Sequence, residues 1–222
     1  MSESVGINNV FQIDWESEER QIQMLRATVA VFRRELCREG EQLLLKLSSW
    51  NSTCLDLYRA AFPGTPQVFI YRDPVEVLVS LLSGRPEWLD FEAIRRRLRA
   101  ERQDRFTKWF AQAGDPDEQP LPQYLGRLLG EICRWISEEK GILCVSYADL
   151  PGAIVTDIAP HLGLRLSGRA AQQVLDATTW NTKSMARASA FESDSRKKRE
   201  GADASVRRAA ASFVEPRLAA IH

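Results

Sequence analysis

The sequence is short of the residues that build metal and disulfide sites. Its four cysteines, Cys37, Cys54, Cys133 and Cys144, are widely spaced and form no Cys-x-x-Cys pair, and the only histidines are His161 and His222. This spacing argues against a zinc site and fits reduced thiols better than a disulfide framework. An excess of one charge is missing as well. Thirty Lys plus Arg balance thirty Asp plus Glu, which argues against a general polyanion binder and leaves local patches open. No apolar run approaches the roughly 20 residues of a membrane span. Residues 1–14 have neither the basic start nor the apolar centre of a secretory leader. The expectation is a cytoplasmic chain with no membrane partner. What is present is an apolar fraction of 44% over 222 residues. That is too hydrophobic for a disordered chain and long enough for a single domain, 1–222, with its own core.

The chain alternates two kinds of pattern. From Ser17 onward Ile22, Leu25, Val29, Phe32 and Leu36 recur at three- and four-residue steps, which predicts an amphipathic helix. Glu16, Glu18 and Glu19 crowd its start and Arg33, Arg34 and Arg38 its end, matching the helix dipole, with Gly40 as the stop. Apolar runs at 43–47, 68–71 and 142–147 read as buried strands. Helices are expected at 53–61, 75–82, 91–110, 124–140, 151–162 and 205–221, the last kinked at Pro216. Residues 114–122 read as a surface loop and 177–195 as polar and irregular. Strands alternating with helices predict an α/β domain with a parallel sheet.

The most informative stretch is 67–82, QVFIYRDPVEVLVSLL. It reads as strand, sharp turn and helix. Asp73 caps the helix, Pro74 takes its first position, and Glu76 closes an Asp-x-x-Glu capping box. Ligands of open α/β sheets bind beyond the carboxyl ends of strands. Arg72 stands at such an end, where a guanidinium can grip a phosphate with two N–H groups. Ser80 follows eight residues later. The same spacing also allows Arg72 to pair with a neighbouring acid and Ser80 to be a small residue in helix packing.

These residues resemble the second fingerprint of the sulfotransferase family. Its members move a sulfuryl group from 3′-phosphoadenosine 5′-phosphosulfate (PAPS) to an acceptor. The fingerprint is a strand ending in Arg, then Asn or Asp with Pro, then a helix with Ser eight positions after the Arg: here Arg72, Asp73, Pro74 and Ser80. The resemblance implies a P-loop-NTPase-like parallel sheet flanked by helices, with Arg72 and Ser80 on the 3′-phosphate of PAPS. Residues 45–47, Leu-Lys-Leu, are similar to the strand that ends beside the substrate, so Lys46 is the candidate catalytic residue, stabilising charge on the transferring group. Residues 142–150, ILCVSYADL, resemble the later strand, which implies that Tyr147 lies near the adenine. Residues 191–198, FESDSRKK, resemble the basic loop that closes over the 3′-phosphate, which makes Arg196 and Lys198 candidate cofactor contacts; a solvated basic loop is the other reading. The implied acceptor is a small molecule or a glycan with a hydroxyl or amine.

Two features depart from the family. No Lys- or Arg-Ser/Thr-Gly loop precedes Leu43, where a cradle for the 5′-phosphosulfate belongs. The expectation is therefore a chain truncated at its N-terminus, lacking the first strand and its loop. Lys46 is followed by Leu47, Ser48, Ser49 and Trp50 rather than by a His or an acid, and serine is a poor general base without activation. No base is assigned. His161 and His222 read as surface or structural residues, and Trp50 as core or as the wall of a substrate pocket.

Two rival readings remain. One is a non-catalytic remnant or interaction protein that keeps the fold without the chemistry. The other is a nucleic-acid contact through residues 95–108, which hold six Arg and one Lys against two acids. Those basic residues surround the helix rather than lining one face, so an ion-paired, solvated helix is favoured over nucleic acid.

Overall fold

The computed structural model describes residues 5–13, 15–177 and 194–221. Helices α1 (Val5–Gln12) and α2 (Glu18–Leu36) come first. Ser17 caps α2 by accepting from the Arg20 N–H, with acids in its first turn and Arg33 and Arg34 in its last. The helix stops at Leu36, short of Gly40. Gly40 instead serves a turn closed by the Glu41 N–H on the Arg38 carbonyl, where its φ of +82° suits glycine.

Among the described residues, 43–47 form no regular element and pair with no strand, which corrects the expected third strand. Leu43, Leu45 and Leu47 are half-buried while Leu44 and Lys46 are exposed. The burial thus alternates, where the apolar run predicted cover on both faces, and the backbone joins no ladder. An apolar run does not tell whether a neighbouring strand lies within hydrogen-bonding distance.

A 3₁₀ turn, Ser49–Cys54, then leads into α3 (Leu55–Ala61), β1 (Gln67–Tyr71) and α4 (Pro74–Ser83). The Asp73 carboxylate caps α4 by accepting from the Val75 and Glu76 N–H groups. The region expected as one helix over 91–110 is two, α5 (Phe91–Arg99) and α6 (Arg105–Gln112). Asp104 causes the break. Its carboxylate accepts from the Thr107 N–H and hydroxyl and receives Arg97 and Arg102. A fresh N-cap of this strength wins over continued propagation.

Helix α7 (Leu121–Glu138) is the centre of the core, burying Tyr124, Leu125, Leu128, Ile132 and Ile136. Trp109 stacks on Phe110 at 5.1 Å between ring centroids and donates its indole N–H to the Leu128 carbonyl. Trp50 packs edge-on against Phe106 at 4.8 Å and is fully buried. It is a core residue.

Next come β2 (Ile142–Ser146), α8 (Ala159–His161), α9 (Gly168–Ala177), α10 (Ser195–Gly201), α11 (Ala204–Ala209) and α12 (Glu215–Leu218). Pro160 and Pro216 lie just after π-helical turns, Ile154–Ile158 and Ala210–Val214. The wider turn accommodates the N–H that each proline lacks. Residues 204–221 run along α7, and glycines at 126 and 130 let the two backbones approach closely.

Among the described residues the sheet has two strands. β1 and β2 pair in parallel with Gln67 opposite Ile142 and Tyr71 opposite Ser146. The architecture is α/β in the broad sense, a mainly helical body with a small parallel sheet. No helix among the described residues is long and apolar enough to cross a membrane.

The buried thiols give a direct check on the core. Burial pushes Cys54 up to about 12 and Cys133 up to about 11, so both stay protonated at neutral pH and lack the reactive thiolate. With iodoacetamide at pH 8, the half-exposed Cys37 reacts first, and Cys54 and Cys133 react only once urea unfolds the chain. Mass-spectrometric counting reads the order; early modification of Cys54 would contradict this packing.

Candidate functional site

The register of β1 and β2 decides where the candidate site forms. Because Tyr71 stands opposite Ser146, the residues that leave the two carboxyl ends, Arg72 and Tyr147, emerge side by side. The Arg72 guanidinium lies over the Tyr147 ring at 4.8 Å, a cation–π contact.

From below, Arg72 is held by α4. Its Nε donates to Glu76 Oε2 at 2.6 Å, one helical turn on. Glu76 is only 3% exposed at its side chain, and a carboxylate so buried needs compensation. It receives Arg72, the Ser195 hydroxyl at 2.9 Å and Arg199 Nη1 at 3.0 Å. The expected capping box is therefore not closed through the Glu76 carboxylate, which is spent on two arginines and a serine. From above, α10 closes the corner. Arg72 Nη2 donates to Asp194 Oδ1 and to the Ser195 hydroxyl, both at 3.0 Å. Lys198 Nζ meets Asp194 Oδ2 at 2.6 Å.

The electrostatics follow the geometry. The hydrogen bond from Lys198 holds the Asp194 carboxyl below the usual carboxylate range; burial pushes it up, and the bond from Arg72 adds to the lowering. Burial pulls the Arg72 guanidinium down, but its bonds to Glu76 and Asp194 outweigh this and leave it above the usual value. The corner can concentrate positive charge on an anion, and its own acids engage that charge here.

Of the residues singled out in the sequence, Arg72, Tyr147 and Lys198 come together. Ser80 lies one turn beyond Glu76 on α4, and its hydroxyl donates to the Glu76 carbonyl at 2.8 Å. That bond keeps the Ser80 proton inside its own helix. Arg196 is turned to solvent, 85% exposed and paired with Glu200. Lys46 is exposed in the irregular 43–47 segment and shares no hydrogen bond or ion pair with the corner among the described residues. Residues 191–193 of the basic segment, and His222, lie outside the described residues; residues 195–201 are helical rather than a loop. His161 Nε2 faces the Gln67 carbonyl at 3.0 Å, at the amino end of β1, away from Arg72.

Glu76, Asp194 and Arg199 complete the corner, and sequence reasoning gave none of them a part in it. Two carry a legible signal. Arg72 with Glu76, and Asp194 with Lys198, are charge pairs at four-residue spacing, the interval that brings side chains together on a helix.

The arginine-rich stretch is largely ion-paired. Arg95 bonds Glu92 and Asp117, Arg97 and Arg102 bond Asp104, and Arg105 bonds Asp56 and Glu18. Arg96, Arg99 and Lys108 are exposed. This is the pairing expected of a solvated helix surface.

No family model, curated protein or solved structure matches the chain.

Proposed function

We propose that the chain is a sulfotransferase-type α/β protein of P-loop architecture, whose Arg72 corner takes the 3′-phosphate of PAPS and whose chemistry is sulfuryl transfer to an acceptor hydroxyl or amine. One observation carries the reading. An arginine leaving the carboxyl end of a parallel strand meets an aromatic ring from the neighbouring strand, and Asp194 joins that arginine to a lysine of the basic helix α10. Arg72 and Lys198 supply N–H donors and charge for a phosphate, and Tyr147, exposed on the rim, offers a face to an adenine. When bound, PAPS supplies the activated sulfuryl group. The sequence has no glycine-rich cradle for the phosphosulfate end, so no transfer step is assigned to a residue beyond Lys46 as the candidate for charge stabilisation.

A second reading is favoured by Glu76. A buried carboxylate under two arginines is also what a purely structural clasp requires, and such a protein keeps the corner without the donor. Calorimetry with 3′,5′-adenosine bisphosphate separates the two. Wild type binds, and Arg72→Ala weakens binding about tenfold or more, the usual cost of a charge-assisted hydrogen bond to a ligand. Absence of binding by wild type, or equal binding by the variant, removes the cofactor site and leaves the clasp.

A further inference from the structure

The two carboxylates on Arg72 are held very differently. Glu76 is enclosed and bonded to two arginines and a serine, whereas the Asp194 side chain is 53% exposed and among the described residues is held by two cations. Its oxygens divide between them, Oδ1 on Arg72 Nη2 and Oδ2 on Lys198 Nζ. One anionic group bridging these two cations is the arrangement a phosphate would adopt with two of its oxygens.

The position of Asp194 in the chain makes this placement unusual. It is the residue before the first turn of α10, where an aspartate ordinarily turns its carboxylate onto the helix N–H groups. Asp73, Asp90, Asp104 and Asp203 all do so in this chain. Asp194 makes no capping hydrogen bond. Its carboxylate has left the local role that its sequence position offers and engages the corner instead. Such departures from local preference cluster at functional sites.

We propose that Asp194 is an intramolecular competitor, a carboxylate held in the place of the ligand phosphate, so that an anion enters by displacing it from Arg72 and Lys198. The inference rests on the reading of this corner as a phosphate site. Glu76 stays in place throughout and fixes the guanidinium from below. Ligand affinity is set by the difference between phosphate and Asp194 at the same two cations.

The test is calorimetric titration of wild type, Asp194→Asn and the double variant Arg72→Ala/Asp194→Asn, with two probes, 3′,5′-adenosine bisphosphate and inorganic phosphate. Circular dichroism melts confirm that each variant folds. Asn removes the charge and keeps the shape, and no capping bond is lost. Asp194→Asn is expected to bind at least one probe about tenfold more tightly than wild type, and the double variant to lose the gain. Equal or weaker binding by Asp194→Asn, a gain that survives without Arg72, or no binding of either probe by Asp194→Asn overturns the proposal. The two readings fail separately. Tighter phosphate binding without adenosine bisphosphate binding keeps the competitor and removes the nucleotide. Adenosine bisphosphate binding that is equal in wild type and Asp194→Asn, with no gain for phosphate either, does the reverse.

Discussion

Replacing Asp104 by alanine is expected to destabilise the fold by about 3 kcal/mol, within the range for breaking a buried ion pair from one side. Its side chain is 1% exposed and receives both Arg97 and Arg102. The variant strands Arg97, which is half-buried beneath solvent and stacked over Phe106, and removes the cap of α6, itself worth about 1 kcal/mol. The damage spreads. Arg97 also reaches the Gln12 side chain and Arg102 the Gln12 carbonyl, so the same carboxylate orients the groups that tie the end of α1 to α5 and α6. Urea unfolding reads the effect as a lower midpoint. Asp104→Asn, which keeps an oxygen for the Thr107 N–H and loses the charge, falls between wild type and alanine. An unfolding free energy for Asp104→Ala within about 1 kcal/mol of wild type refutes this account of the α5–α6 break.

The second large effect is expected from one methyl group. A Cβ built on Gly130 lies 2.3 Å from the Phe213 carbonyl oxygen and 3.2 Å from its carbon, a backbone obstacle that rotamer changes cannot clear. Gly130→Ala raises the intrinsic helix propensity of α7 by about 1 kcal/mol, yet overpacking against fixed backbone costs about 1–3 kcal/mol or more. The clash wins, for a net loss of about 2 kcal/mol and a melting temperature lower by roughly 4–8 °C for a domain of this size. Gly126 is looser, with the Ala209 carbonyl at 3.1 Å, and its alanine variant costs less. Gly152, with nothing within 4 Å of a built Cβ, is the control and stays close to wild type. A Gly130→Ala protein as stable as wild type would mean that residues 204–221 do not press on α7 in this way.

Both residues illustrate what could be read from the chain and what could not. The strands at 67–71 and 142–146 were legible because β-branched and aromatic runs between breakers have few alternatives. The Asp73 cap and the α2 start at Ser17 were legible because capping is settled within four residues. Residues 43–47 misled because a short apolar run says nothing of whether a partner strand lies beside it, and here only one of its faces is covered. The break at 100–104 was hidden because Asp104 looks like any acid among arginines until Thr107, Arg97 and Arg102 converge on it. The candidate site divides along the same line. Arg72 and Tyr147 were each identified from local motifs, but their contact depends on strand register, which no local pattern carries. Glu76 was assigned to a capping box because its distant partners, Ser195 and Arg199, are contributed by a helix far along the chain.

The parallel pairing of β1 and β2 has a kinetic consequence. The strands are separated by the whole of α4 to α7, so their ladder closes a long loop, and the bonds from α10 to Arg72 and Glu76 close longer ones. Contacts of this range carry a large loop-closure entropy and form late relative to local helices. Arg72 and Tyr147 meet only once the ladder has closed. An anion that needs both therefore binds the finished fold and not its partly assembled precursors, and by mass action holds the late-formed contacts in place.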